Sequence, residues 1–138
     1  DNVWFIEECV ATDAPSSIVP NTEYVELPTA TPTTGFVNIV GDNCTYKLLY
    51  PTPETATVTF SSYVNITDCN EVCDSYVFVN SGTVPASIQY IDCSGNTVNS
   101  TPIAGGGGSL SICLRQIVDI PDGEEVSFTV TKTCGCVE

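Results

Sequence analysis

SYVFVNSG (75–82), ASIQYIDCSGNTVNSTPIAGGGG (86–108) and SLSICLRQIVDIPDGEEVSFTVTKTCGC (109–136) decide how this chain folds. Ala86, Ile88 and Tyr90 share one parity, as do Leu110, Ile112 and Leu114, and again Val126, Phe128 and Val130, with mostly Ser, Thr or Gln between them. A period of two with polar partners is the pattern of a half-buried strand, apolar face inward. Asn80-Ser81-Gly82, Ser94-Gly95-Asn96, Gly105 to Gly108 and Pro121-Asp122-Gly123 break the runs where the backbone is freed or bent. Short strands so punctuated predict an all-β chain, an antiparallel β-sandwich or jelly roll.

Working outward toward the N-terminus, GFVNIVG (35–41) and CTYKLLY (44–50) continue the β-pattern, the latter with Cys44, Tyr46, Leu48 and Tyr50 on one parity. Between Ala56 and Ile66 the even positions are apolar except Ser62, where a bend or bulge is expected. DCNEVCD (68–74) divides two halves of several strands each, and no stretch keeps three-and-four apolar spacing beyond a turn or two. Residues 35–138 therefore read as a single β-sandwich domain, which at this length has a core of its own.

Ahead of it, DNVWFIEECVA (1–11) is a compact apolar run holding the only Trp, and residues 12–34 are rich in Pro, Thr and Ser. Such a tether is extended and semi-rigid. An apolar strand on an extended tether is the sequence form of an exchanged arm, which adds to an open sheet edge in another molecule. Eleven extended residues reach about 36 Å. On this reading Val3, Trp4, Phe5 and Ile6 are the anchors of an inter-subunit arm and Cys9 a candidate link. The bland reading makes residues 3–9 an edge strand of their own domain.

Seventeen Asp and Glu face three Lys and Arg, a net charge of −14. Nucleic-acid binding needs a cationic footprint and is excluded. No apolar run approaches the ~20 residues of a membrane span, so no membrane insertion is expected. Cys9, Cys44, Cys69, Cys73, Cys93, Cys113, Cys134 and Cys136 form an even set in a chain without His. That favours disulfides made in an oxidising compartment, with connectivity left open and Cys134-Gly135-Cys136 as another candidate for a link between subunits. Structural zinc prefers four Cys or His in pairs such as C-x2-C, whereas the pairs here are Cys69-x3-Cys73 and Cys134-x-Cys136, with no His. The acidic loops at 68–74 and 119–125 offer hard oxygens for Ca²⁺ but read better as solvated turns. Gly105 to Gly108 precede a strand, so they read as a flexible connection or a surface of subunit approach rather than a phosphate loop. Without a His base or a nucleophile elbow no catalysis is expected, and no cofactor. Asn43, Asn65 and Asn99 match the glycosylation acceptor pattern, which arises easily by chance in an Asn- and Thr-rich chain. The start at Asp1 suggests a removed leader or an excerpt of a precursor.

VFVNSG, a run ending in YIDCSGN, a glycine-rich turn, SLSIC and a last strand closing on TKTC resemble small cysteine-containing β-domains of tailed-phage virion proteins, in tail, fibre or decoration components. The resemblance covers Ser75 to Cys136 and implies a many-copy building block exposed to the outside world. A secreted cell-surface filament subunit fits the same features. The expectation is thus a non-enzymatic structural subunit of an extracellular filament or virion, its partner being itself, polymerising by arm exchange and disulfide cross-links. The rival is a secreted monomeric binding module for carbohydrate or protein, suggested by Tyr24, Tyr63 and Tyr76.

Overall fold

The computed structural model of the chain describes residues 2–136. The fold is all-β with antiparallel sheets, as the period-two runs require. The chain divides into two compact units. Unit 1 holds the chain up to Val10 together with Val19–Glu71, and unit 2 holds Ala11–Ile18 together with the chain from Val72 onward. This differs from a single domain over 35–138. Glu71/Val72, inside the cysteine-rich loop, is a true boundary, and the expected tether is built into both units. Prolines 20 and 28 bracket a strand there instead of preventing one, because the short TEYVE run buries Val25 and leads to buried Leu27.

Unit 1 is a five-stranded sheet of β1 (Val3–Glu8), β2 (Thr22–Glu26), β3 (Phe36–Ile39), β4 (Thr45–Pro51) and β5 (Phe60–Tyr63), in the order β2-β1-β4-β3-β5. Its core is Ile6, Val25, Leu27, Val37, Ile39 and Tyr46, with Trp4, Leu48 and Val58 packed against them. The sheet curls back on itself. The amides of Thr57 and Val58 both donate to the Tyr24 carbonyl (2.8 and 3.1 Å), while the Val40 amide donates to Thr59 (2.8 Å). Residues 57–59 thus join the β2 edge to the β3/β5 side, which covers edges that would otherwise invite pairing. The expected long strand over 56–66 is therefore split. Its irregularity falls beside Ser62, where Asn38 faces Ser62 but Ile39 faces Phe60.

Unit 2 comprises β6 (Asp74–Asn80), β7 (Gln89–Ile91), β8 (Thr97–Asn99), β9 (Gly108–Leu114), β10 (Gln116–Asp119) and β11 (Phe128–Thr133). They form two three-stranded sheets, β10-β7-β8 and β11-β6-β9. One apolar core serves both: Tyr76 and Phe78 of β6, Ile112 and Leu114 of β9 and Val130 of β11 cluster with Ile88 and with Ile117 of β10. This is a small sandwich, and the chain changes sheet at Arg115 between β9 and β10. Ala11–Ile18 completes it: the Ala11 amide donates to the buried Tyr76 hydroxyl (2.8 Å), and Thr12 bridges Gln116 in parallel.

The glycine run is not a flexible connection but an ordered turn. Gly106 and Gly107 have φ of 75° and 101°, and their amides donate to the carbonyls of Gly82 (2.7 Å) and Asn80 (2.8 Å). A Cβ on Gly105 would stand 2.7 Å from the Thr83 backbone, so only glycine permits this approach. Asn80 holds the other side of the turn. Its wholly buried amide donates to Val84 (2.8 Å) and Ile103 (3.0 Å) and accepts from the Gly82 amide (2.9 Å), so the polar group costs little to bury.

In unit 1 the wholly buried Tyr46 hydroxyl donates to Asp42 (2.9 Å) and accepts from the Asn21 amide (3.0 Å). Burial pushes its pKa up to about 12; Asp42 and Glu8 push the same way, and the Asn21 bond opposes them. Above pH ~10 the unfolded chain gives up this proton while the folded chain keeps it. The contribution to stability is therefore complete below that pH and is lost as pH climbs through the folded value. Thermal unfolding followed from about pH 9 to pH 12 should decline more steeply for the native protein than for Tyr46→Phe.

Candidate functional site

The residues expected to leave the chain as an arm are held inside it. β1 pairs with β2 from Val3↔Glu26 to Glu7↔Thr22, and along its other side with β4 from Trp4↔Pro51 to Glu8↔Tyr46. Hydrogen bonds from Leu27 to Asn2 (2.9 Å) and from Cys9 to Thr45 (2.8 Å) extend the ladders at each end. Ile6 is fully buried, Val3 nearly so, and Trp4 packs on the core. In this structure the segment is thus a strand of unit 1 and not an extended arm. With both sides of β1 paired to its own unit, no ladder is left over for a neighbour. Nor is β1 an edge strand; it is an interior one.

Cys9 is 2% exposed and bonded to Cys69, across 60 residues of sequence. Cys73–Cys93 and Cys113–Cys136 lie within unit 2, Cys44 and Cys134 are also disulfide-bonded, and no cysteine is free. Cys9 and Cys136 are thus consumed inside the chain, and the links expected between subunits are not made by them. Each of these loops is worth about 3 to 4 kcal/mol on the chain-entropy account. The sulfurs of Cys73, Cys93 and Cys136 lie within 4.8 Å of one another. Paired as disulfides they are not the thiolates that bind metal.

The carboxylates of the acidic loop at 68–74 serve separate partners. Glu71 accepts from the Thr67 and Asp68 amides (2.8 and 3.1 Å), and Asp68 accepts from Asn70 (2.7 Å). Asp74 turns into unit 2, where its carboxylate meets the Lys132 ammonium at 3.3 Å with both side chains at most 5% exposed. Its second oxygen accepts the Gly135 amide (2.8 Å). The pair fixes the last strand to β6.

Two further surface features emerge from strand register. The first is the edge formed by β9, which pairs with β6 without a break from Asp74↔Leu114 to Asn80↔Gly108. It lies in residues 93–114, a stretch with no Asp, Glu, Lys or Arg. That charge gap was a signal available from sequence alone. The second is an aromatic row across β2, β1 and β4. Phe5 lies 5.3 Å from Tyr24 and 5.3 Å from Tyr50, with ring planes turned by 44° and 34°. Tyr50 is 53% exposed. Tyr24 belongs to this row, but Tyr63 pairs with Phe60 on the unit 1 core and Tyr76 is buried in unit 2. The row joins residues distant in sequence through strand register, so no local motif announces it.

The three glycosylation-type asparagines, Asn43, Asn65 and Asn99, are exposed. Among the described residues no helix is long and apolar enough to cross a membrane. No family model, curated protein or solved structure matches the chain.

Peptide mapping without reduction should recover Cys9–Cys69, Cys73–Cys93 and Cys113–Cys136 from the monomer. A dimer band held by any of these cysteines would contradict the assignment. Lys132→Ala should lower the denaturant midpoint by the equivalent of about 3 to 5 kcal/mol, because Asp74 stays buried without its partner.

Proposed function

We propose that the chain is a non-enzymatic structural subunit of an assembly outside the reducing cytoplasm, an extracellular filament or a virion, and that copies meet at the β9 edge. The observation that carries this reading is the chemistry of that edge. Natural sheets blunt exposed edges with Lys, Pro or bulges. β9, GSLSICL, has none of these, and seven residues of unbroken ladder make a usable template. A body of net charge −14 repels its copies, so they can approach closely only over uncharged surface. Residues 93–114 supply such a surface. The oxidised cysteines suit the proposed compartment and reinforce each unit without joining copies.

The test places charge on the edge. Ser109 and Ser111 are exposed on β9, so Ser109→Lys with Ser111→Lys leaves the apolar face intact. Light scattering and electron microscopy across a concentration and salt series should show the native chain assembling, more readily as salt screens the repulsion. The double variant should stay monomeric with an unchanged melting temperature. It carries less net negative charge, so generic repulsion cannot account for a loss of assembly. A native chain that remains monomeric throughout, or a variant that assembles equally well, would refute the proposal.

A further inference from the structure

We infer that the outer face of unit 1 is a binding platform for a neutral saccharide chain, with Tyr24, Phe5 and Tyr50 as its stacking row. This does not rest on the assembly at β9. Cross-strand aromatic pairs can serve a sheet alone, but this row lies on the face opposite the core and ends in a ring more exposed than buried. Aromatic faces present electron-rich, apolar surface, while the C–H faces of a pyranose are apolar and weakly positive. Such faces complement one another.

Three observations select the ligand. The rings stand side by side across three strands at equal 5.3 Å spacings, so they offer repeated contacts to a repeating ligand. With their planes turned by 44° and 34° from one another, the rings do not make the single flat plane that a crystalline surface would require, which favours a single soluble chain. Next along the face, strand register sets Thr22, Glu7 and Lys47 in line, and beyond the other side of the row it sets Glu26 beside Val3. A rim of hydroxyl, carboxylate and ammonium both donates and accepts, which is what sugar hydroxyls require of a partner. The net charge of −14 repels polyuronates and sulfated chains. A peptide would bind through a sheet edge, gaining backbone bonds, whereas the row lies on a face where none are offered.

Isothermal titration with cellohexaose and with maltohexaose tests the platform, and a polygalacturonate and an oligolysine serve as the charged alternatives. The expected result is binding of at least one neutral hexaose, insensitive to salt. Tyr50→Ala should weaken it roughly tenfold or more and Tyr50→Phe should largely retain it, since the ring and not the hydroxyl does the stacking. Because Tyr50 is 53% exposed, its removal should leave the melting temperature nearly unchanged, and this is measured alongside. Absence of binding by both hexaoses, equal binding by Tyr50→Ala, or salt-sensitive binding of oligolysine in their place would overturn the inference. The Ser109→Lys, Ser111→Lys variant should bind the hexaose normally, so the two surfaces fail or stand separately.

Discussion

β1 is hydrogen-bonded along both sides to strands that come after it in the chain, and much of unit 1 follows from that. A central strand needs a partner on each flank, so β2 and β4 must be brought to it from positions about 20 and 40 residues away, loop closures that burial has to offset. Ile6 on its inner face meets Val25 and Tyr46 in the core, while Phe5 on its outer face meets Tyr24 and Tyr50. One strand therefore supplies both the core seam and the external aromatic row. Past Glu8 the chain is fixed again by Cys9–Cys69, after which Ala11 to Ile18 belong to unit 2.

Unit 2 is held by a different device. Its interior is apolar, yet two polar groups lie deep within it, and both are satisfied. Asn80 supplies the hydrogen bonds that the tight turns on either side of it cannot supply for themselves, and this is what lets the glycine run pack against the 80–84 loop. Asp74, at the opposite end of β6, is matched by Lys132 and the Gly135 amide. A buried pair of this kind adds little net stability over apolar packing, but it makes other registers expensive, because a slip would strand a charge. With period-two strands, a slip of one residue would also turn Tyr76 and Phe78 outward. Register in β11-β6-β9 is thus specified at both ends and in the middle.

The amount of this visible in the sequence followed the range of the interaction. Strand positions in residues 86–130 could be read from parity, since Ile88, Ile112, Leu114 and Val130 are all buried where alternation put them. The N-terminal segment could not. VWFIEE reads as a strand whether it pairs at home or elsewhere, and composition says nothing about which edge receives it. The Pro- and Thr-rich stretch after it was misleading for a related reason: proline excludes long elements but tolerates a five-residue strand between two of them. Disulfide pairing and the aromatic row depend on register between distant strands, which no local pattern encodes. The acidic residues behaved likewise, since Asp68 and Asp74 are close in sequence yet one caps a turn and the other is buried in an ion pair.

Charge and edge chemistry together constrain how such a chain can meet another copy. A net charge of −14 spread over 138 residues keeps monomers apart at distances up to the Debye length, about 8 Å at physiological salt. Sheet addition works at a much shorter range, with strands about 5 Å apart. Only a surface whose immediate neighbourhood carries no charge can pass from the first regime to the second without bringing carboxylates together. Unit 1 has its β2 edge joined by residues 57–59 and ends on its other side in the four-residue β5; the remaining edges belong to the sandwich of unit 2. Of these, β10 is bridged in part by Thr12, β8 is three residues long, and β11 includes Lys132. β9 combines length and regular pairing with a sequence stretch free of charged residues, which is why the proposed contact between copies is placed on that edge.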